Sequence, residues 1–241
     1  MKLLKAMAIA FSIYSKIPVP QFEWKEEDME YMMCFFPWIG GVIGLFFFGW
    51  AVLCEKFAVG NVCYALIGAA IPLMISGGFH VDGYMDTMDA FHSYQSREKK
   101  LEILKDSHIG AFAAIMLALY YMIDIAAISE IHTQKAVSAL AAGFFLARCF
   151  SGIAVMTLQP AKKEGLLYTF ASSAQKVRVK AALYFQAALC VVLMLLVSGW
   201  YGAAAIGAAL LSFFYFKKKS YKELGGITGD TAGFFVTVCE A

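Results

Sequence analysis

The sequence predicts an all-α fold, a polytopic membrane helical bundle with about six transmembrane helices plus short re-entrant or interfacial segments. Its 241 residues are 61% hydrophobic and only 16% charged, whereas a soluble domain is nearer half apolar and a quarter charged. The apolar residues also fall in runs of the roughly 17–25 residues that a helix needs to cross a bilayer. Because no linker rich in Pro, Ser or charge divides the chain, residues 1–241 are expected to form a single integral-membrane domain.

The expected spans follow from the apolar runs. The segment before them, residues 1–20, is predicted to be a retained amphipathic or re-entrant segment, since no cleavage site follows its apolar run. Gly40, Gly41 and Gly44 give the first span a small-residue face suited to close helix contact. The tail, residues 225–241, is expected either to re-enter the membrane or to form a broken seventh helix. The six predicted spans lie near residues 31–53, 61–79, 109–128, 136–158, 181–198 and 200–216.

The basic residues divide unevenly between the two sides of this layout. Seventeen of the 20 Lys and Arg residues fall on one side, against Lys56 and Lys135 on the other, and Arg148 lies inside a span. Loops rich in Lys and Arg stay on the cytoplasmic side of a membrane. We therefore expect a multi-pass protein of the cell (inner) membrane, with both termini and residues 80–108 in the cytoplasm.

The longest polar stretch, residues 76–110, lies between two apolar spans. Asp82, Asp86 and Asp89 follow an i, i+4, i+7 spacing, which puts three carboxylates on one helix face. An acidic helix face is most often a solvated surface, but polar residues between spans tend to be functional, and Gly77-Gly78 favours close backbone contacts. Mg²⁺ prefers oxygen ligands and is usually shared with substrate phosphates. The stretch therefore predicts a Mg²⁺ site for a phosphorylated substrate.

Three further features leave alternatives open. The glycine-rich turn at residues 224–233 either offers backbone N–H groups to an anion or is a plain loop. The lysines of the patch at residues 160–165 either contact phosphate or only set the topology. Arg148 either clamps a phosphate or forms a structural ion pair, with Asp124 as the expected partner, since either arrangement would compensate a buried charge.

Several motifs together resemble one family. Residues 77–90, Gly-Gly-Phe-His-Val-Asp-Gly-Tyr-Met-Asp-Thr-Met-Asp-Ala, resemble the signature G-G-x-H-x-D-G-x-x-D-T-x-D-G of the cobalamin synthases, the adenosylcobinamide-GDP ribazoletransferases. Residues 105–110 and 224–231 resemble the family's K-D-S-x-I-G and L-G-G-x-T-G-D-T motifs, and the resemblance covers essentially the whole chain. Ala90 replaces the usual Gly, and His108 stands where Arg is common, which weakens a phosphate contact there.

The resemblance implies a Mg²⁺-dependent phosphotransferase. Such an enzyme joins α-ribazole, or its 5′-phosphate, to adenosylcobinamide-GDP and yields adenosylcobalamin, or its 5′-phosphate, and GMP. Besides these substrates the expected partner is the lipid bilayer, with no nucleic acid, and a homo-oligomer is one option. The implied catalytic residues are Asp82, Asp86, Asp89 and His80, the first three also as metal ligands, and the implied substrate-binding residues are Arg148, Asp106, Thr228, Asp230, Gly77 and Gly78.

Two other functions compete with this one. A CDP-alcohol phosphatidyltransferase also places an aspartate cluster beside membrane helices, but its D-x-x-D-G order differs from the D-G-x-x-D-x-x-D found here, and spacing sets ligand geometry. A cation or metabolite transporter would place its site near the bilayer midplane on broken helices, often within inverted repeats. Here the acids fall in a segment predicted to be cytoplasmic, and no repeat is apparent.

Overall fold

The structure is a computed structural model that describes residues 2–20, 23, 25–162 and 164–241. In this part of the chain there are α-helices and two short 3-10 turns (Glu26–Met29 and Met32–Cys34), and no β-strand, which confirms the all-α prediction. The helices are α1 (Lys2–Tyr14), α2 (Phe36–Lys56), α3 (Asn61–Ser76), α4 (Phe79–His92), α5 (Arg97–Ile103), α6 (Ala111–Ile128), α7 (Gln134–Thr157), α8 (Leu166–Ser173), α9 (Lys176–Ser198), α10 (Trp200–Leu224) and α11 (Gly229–Glu240).

Fewer helices than the predicted six are long and apolar enough to cross a membrane. Among the described helices these are α2, α6, α7 and α9, and a fifth span results if α3 and α4 are counted as one broken helix. The apolar part of α10 ends at Phe216, before three consecutive lysines, and α3 ends at Ser76 because a glycine pair follows it. Large apolar side chains such as Leu45 (70% exposed) and Leu196 (77%) face outward. An apolar surface of this kind is typical of a lipid-facing belt.

Helix α7 is the centre of the bundle. In its apolar stretch 67% of the residues are buried, against 17% in α6, and it packs against α2, α9, α10 and α11. Helix α2 lies close against it, because a Cβ at Gly40 would collide with the carbonyl of Phe144 and one at Gly44 with that of Ala141. The predicted small-residue face of the first span is therefore confirmed as a helix contact.

The turns gather at two ends of the bundle. At one end the side-chain amide of Asn61 donates to the carbonyl of Ser129 (3.0 Å), and the Tyr64 hydroxyl donates to that of Ile131 (2.7 Å). At the other end the Lys100 ammonium contacts the Glu223 carboxylate at 2.5 Å. This second end, which we call the polar end, also holds the acidic helix α4 and the start of α11. Helices α1 and α11, with 13 and 12 residues, are too short to span a bilayer.

Candidate active site

A sharp break between α3 and α4 sets the direction of the acidic helix. Gly77 (φ +68°) and Gly78 (φ +86°) adopt left-handed conformations, which glycine enters without steric cost. A Cβ at Gly77 would also collide with the Lys16 side chain. The two helices therefore meet at an angle of 98°. Neither glycine lines the cavity described below; their structural contribution is this break, and the substrate contact stays a prediction.

Helix α4 packs closely against α11. A Cβ at Gly83 would lie 2.8 Å from the carbonyl oxygen of Asp230, and one at Gly233 would lie 3.1 Å from that of His80. A Cβ at Gly83 would therefore collide with the α11 backbone, and one at Gly233 would require the α4 backbone to shift by a few tenths of an ångström. The crossing brings Asp230 next to Asp82, so that carboxylates from two distant motifs share one site.

The start of α11 is fixed by its own side chains and by a neighbouring loop. The Thr228 hydroxyl accepts a hydrogen bond from the Thr231 amide (3.1 Å), as an N-cap residue does. The Ile227 amide donates to the Gln159 carbonyl (3.0 Å), and the Ala161 amide donates to the Ile227 carbonyl (2.8 Å). The glycine-rich turn therefore lies beside the start of the 160–165 patch. This agrees with the prediction that both segments lie on the same side of the membrane.

A cavity of about 450 Å³ lies where these segments meet. One half is polar and open to the surface, and we call it the polar half; its described lining includes Asp82, Lys105, Lys162, Glu164, Thr228, Gly229 and Asp230. The other half is apolar and, apart from Phe79, buried, and we call it the aromatic half; its lining includes Tyr14, Met33, Phe36, Phe79, His80, Leu167 and Phe170. Of the predicted site residues, His80, Asp82, Thr228 and Asp230 therefore reach the cavity.

The charges of the polar half are only partly compensated. Burial raises the pKa of Asp230, against the effect of its own backbone N–H, the Thr228 hydroxyl and Lys162. Burial and the charge of Lys105 lower the pKa of Lys162, whose ammonium donates to the Leu101 carbonyl at 2.6 Å. Both residues would therefore gain from a ligand that brings the opposite charge. Lys105 and Glu164 form an exposed ion pair (2.5 Å) among the lining residues.

The three acids of α4 lie in different surroundings. Asp82 is exposed and lines the cavity, whereas Asp86 is half-buried and is repelled by the charges of Asp82, Asp230 and Asp89. The Asp89 carboxylate accepts hydrogen bonds from the backbone N–H groups of Gly110 (2.7 Å) and Ala113 (2.9 Å). It therefore caps the N-terminus of α6.

Among the described residues no group of three or more His, Cys, Asp or Glu side chains is arranged to hold a metal ion, and the metal assignment stays a prediction.

Besides Gly77 and Gly78, two more predicted substrate contacts lie outside the cavity lining. Arg148 is fully buried in α7, pairs with the Glu240 carboxylate and donates to the Phe144 carbonyl at 3.0 Å. The structural ion pair of Arg148 is therefore formed with Glu240 of α11 and not with the expected partner Asp124, and the phosphate clamp stays a prediction. Asp106 is exposed, and hydrogen bonds from His108 lower its pKa. Lys163, a predicted phosphate contact, lies outside the described residues.

Sequence reasoning missed several residues of the site. Lys105 is part of a recognised motif, and its place beside the acids on the same predicted side of the membrane would have been a signal for it. The helix-capping role of Asp89 had a weaker signal. Gly110 precedes an apolar span and has no side chain to accept hydrogen bonds from the free N–H groups at the start of that helix, so another residue must do so. The aromatic half had no signal, because aromatic residues in apolar runs look like any other core or lipid-facing residue.

Taken together, the fold and the cavity define an integral-membrane protein with a polar site at one end of its bundle. A model of the cobalamin-5-phosphate synthase family matches residues 6–241, and the chain belongs to this family of enzymes. It is 44% identical to the adenosylcobinamide-GDP ribazoletransferase of Lachnoclostridium phytofermentans, over 100% of this chain and 92% of that relative. Relatives of the same name from two Clostridium botulinum strains are 31% and 33% identical, each over 99% of this chain and 94% of the relative. No solved structure matches the chain.

Proposed function

We propose that the chain is an adenosylcobinamide-GDP ribazoletransferase, which acts on adenosylcobinamide-GDP and on α-ribazole or its 5′-phosphate. Its family and the names of its relatives support this assignment. The observation that carries it is the convergence of three separate motif segments on one cavity, whose polar half combines carboxylates, lysines and a helix N-terminus. This set of groups suits a diphosphate substrate.

The chemistry is a transfer of a phosphoryl group to a hydroxyl. A ribose hydroxyl of α-ribazole attacks the phosphorus next to the corrinoid, the bond from that phosphorus to the bridging oxygen breaks, and GMP leaves with that oxygen. Such reactions depend on positioning and on neutralising phosphate charge rather than on covalent help from the protein. Lys105, Lys162 and the backbone N–H groups at the start of α11 would supply that positive charge. The hydroxyl proton would pass to Asp82 or His80, the two predicted acceptors that line the cavity.

Mg²⁺ fits the donor chemistry of this site. Asp82 and Asp230 both line the cavity, neither is in an ion pair among the described residues, and Mg²⁺ is usually held by one or two carboxylates plus substrate phosphates. Bound Mg²⁺ would neutralise charge on the diphosphate. We assign Asp82 and Asp230 as its holders, with Asp86 beside them, while the hydrogen bonds of Asp89 favour a role at the N-terminus of α6.

The polar end of the bundle would face the cytoplasm of a cell inner-membrane protein. Basic segments from distant parts of the chain meet there: Lys5 contacts Asp28 at 3.3 Å, and Arg178 contacts the Tyr31 hydroxyl at 3.0 Å. This clustering supports the orientation expected from loops rich in Lys and Arg. The lipid bilayer is then a structural partner, and the substrates reach the site from the cytoplasmic side.

The decisive experiment is an assay of detergent-solubilised protein with adenosylcobinamide-GDP and α-ribazole, with and without Mg²⁺. We expect GMP release together with a matching corrinoid product, and loss of both when the metal is chelated. Asp82→Asn should lower turnover by about 100-fold or more, whereas Glu102→Gln, an exposed acid outside the cavity, should not. Release of CMP from a CDP-alcohol would favour the lipid synthase, and no turnover with either substrate would favour the transporter.

A further inference from the structure

The aromatic half of the cavity is built from four rings that four different helices contribute. Tyr14 of α1 lies 4.6 Å from Phe36 of α2 between ring centroids. Phe79 of α4 and Phe170 of α8 approach the Tyr14 ring edge-on, at 5.2 and 6.2 Å. Three of the rings, Tyr14, Phe36 and Phe170, are at most 7% exposed, whereas Phe79 is 39% exposed. A buried wall of this kind inside a polar site suits a flat, apolar ligand group.

His80 lies within this wall and has unused hydrogen-bonding capacity. Its side chain is 4% exposed, and neither ring nitrogen has a hydrogen-bond partner among the described residues. Its ring lies nearly parallel to that of Tyr14, with an interplanar angle of 7° and 5.9 Å between centroids. A buried polar group without a partner is costly, so a ligand in the cavity that accepted a hydrogen bond from His80 would remove this cost.

We propose that the aromatic half is the subsite for the base of α-ribazole, with His80 donating a hydrogen bond to the free ring nitrogen of that base. This inference rests on the proposed function and adds which part of which substrate fills the buried half. The base is bicyclic, flat and largely apolar, and with its sugar attached it has one unsubstituted ring nitrogen. One buried imidazole among aromatic rings matches that single acceptor.

The guanine of the second substrate fits this half poorly. Guanine carries a carbonyl, an amino group and a ring N–H, each of which needs a partner once it is buried. Besides His80, the described polar groups near this half are the hydroxyls of Tyr14 and Ser151, which are too few for guanine. The guanosine would therefore remain at the open, polar half.

The size of the cavity supports the same arrangement. A volume of about 450 Å³ lies within the range of roughly 300–1,000 Å³ for sites that enclose a small molecule. A nucleoside fits such a space, whereas a corrinoid ring system does not. With the base beside His80, the ribose would extend towards Asp82 in the polar half, where its hydroxyl meets the diphosphate. Asp82 then remains as the acceptor of the hydroxyl proton.

The first test measures binding without turnover. Equilibrium dialysis of α-ribazole, and separately of GMP, against the detergent-solubilised protein compares the parent with Phe170→Leu. Loss of one stacking ring should weaken α-ribazole binding about five- to tenfold. The dissociation constant of GMP should change by less than about twofold, which is about 0.4 kcal/mol of binding free energy. Phe150→Leu is the matched control, because Phe150 packs against Phe213 and lies outside the cavity. Equal losses for both ligands, or no loss for α-ribazole, would overturn the proposal.

The second test addresses His80 directly. The parent should bind α-ribazole about fivefold more tightly than an indole riboside, which lacks the free ring nitrogen, because one hydrogen bond is worth about 1 kcal/mol. His80→Leu should bind the two nucleosides equally, and a variant that still prefers α-ribazole would contradict the assignment. If Phe170→Leu fails to fold, Tyr14→Leu replaces it. Intact α-ribazole binding without GMP release would count against the proposed function and leave this subsite standing.

Discussion

Asp82 and Asp89 lie seven residues apart on α4, and their different partners suggest different roles. Asp82 faces the cavity without an ion-pair partner among the described residues, whereas Asp89 accepts two backbone hydrogen bonds from the start of α6. A carboxylate at a helix N-terminus is stabilising because the free N–H groups there carry partial positive charge. One acid is thus available to a ligand, and the other holds two helices together.

This contrast predicts opposite effects of two substitutions. Asp89→Ala should lower the free energy of unfolding by about 1–2 kcal/mol and leave the Mg²⁺ concentration for half-maximal activity unchanged. Asp82→Asn should leave the melting temperature nearly unchanged and greatly raise the Mg²⁺ concentration needed for its residual activity. Thermal unfolding in detergent and Mg²⁺ titrations of turnover give both quantities. A shifted Mg²⁺ requirement in Asp89→Ala with normal stability would restore Asp89 as a metal ligand.

The ionised carboxylate of Asp230 should lower the stability of the protein at neutral pH although it supports turnover. Because burial raises its pKa in the folded protein, its ionised form costs stability at neutral pH, and this cost disappears below the ordinary value of 3.8. Asp230→Asn should therefore melt a few degrees higher than the parent at pH 7, with a difference that shrinks as the pH falls towards 4. Its turnover should fall by about 100-fold or more. A variant that melts lower at pH 7 would contradict this prediction.

Sequence reasoning found residues of the site more readily than it found their partners. The spacing of Asp82, Asp86 and Asp89 was sufficient to place them on one helix, since helical periodicity is local. The pairing of Arg148 with Glu240 joins residues 92 positions apart, and it depends on where α11 docks. Hydropathy carries no information on that docking, so the expected partner Asp124 was wrong.

At the scale of elements, the crossing of α4 and α11 is the contact that assembles the polar half. Gly83→Ala should lower the free energy of unfolding by about 1–3 kcal/mol and reduce turnover, because its Cβ would lie 2.8 Å from the Asp230 carbonyl. Gly143→Ala on α7 is the matched control, since a Cβ there meets nothing within 4 Å, and it should be neutral or stabilising by up to about 1 kcal/mol. Thermal unfolding of the two variants tests the pair, and equal stabilities would argue against a tight crossing.

The positions of the helices were predictable, but their directions were not. Four of the six predicted apolar runs overlap one described helix each. The first, residues 31–53, begins before α2 and includes a 3-10 turn, and the second, residues 61–79, continues past the end of α3 into α4. The glycine pair at 77–78 predicted close backbone contacts without giving the angle, because 98° follows from two consecutive left-handed residues and from packing against Lys16. Helix α10 continues eight residues beyond the predicted end at 216, since its lysines remain helical once they leave the apolar region.

At the scale of the whole molecule, the clustering of basic segments predicts a testable orientation. Glu102→Cys and Lys56→Cys place exposed thiols at the two ends of the bundle, each in a Cys63→Ser background because Cys63 is itself exposed. A membrane-impermeant maleimide should label Lys56→Cys in intact cells and Glu102→Cys only after permeabilisation. The reverse pattern would place the cavity on the outer side.

The contact between α4 and α11 also determines when the site forms during synthesis. During synthesis α4 leaves the ribosome long before α11, yet Gly83 meets the Asp230 backbone only when α11 docks. Until then, the acidic helix lacks one of the two helices against which it mainly packs. Nascent chains that end before residue 229 should therefore insert their spans and remain unable to bind substrate, so the time at which a nascent chain first gains binding would report the last step of folding.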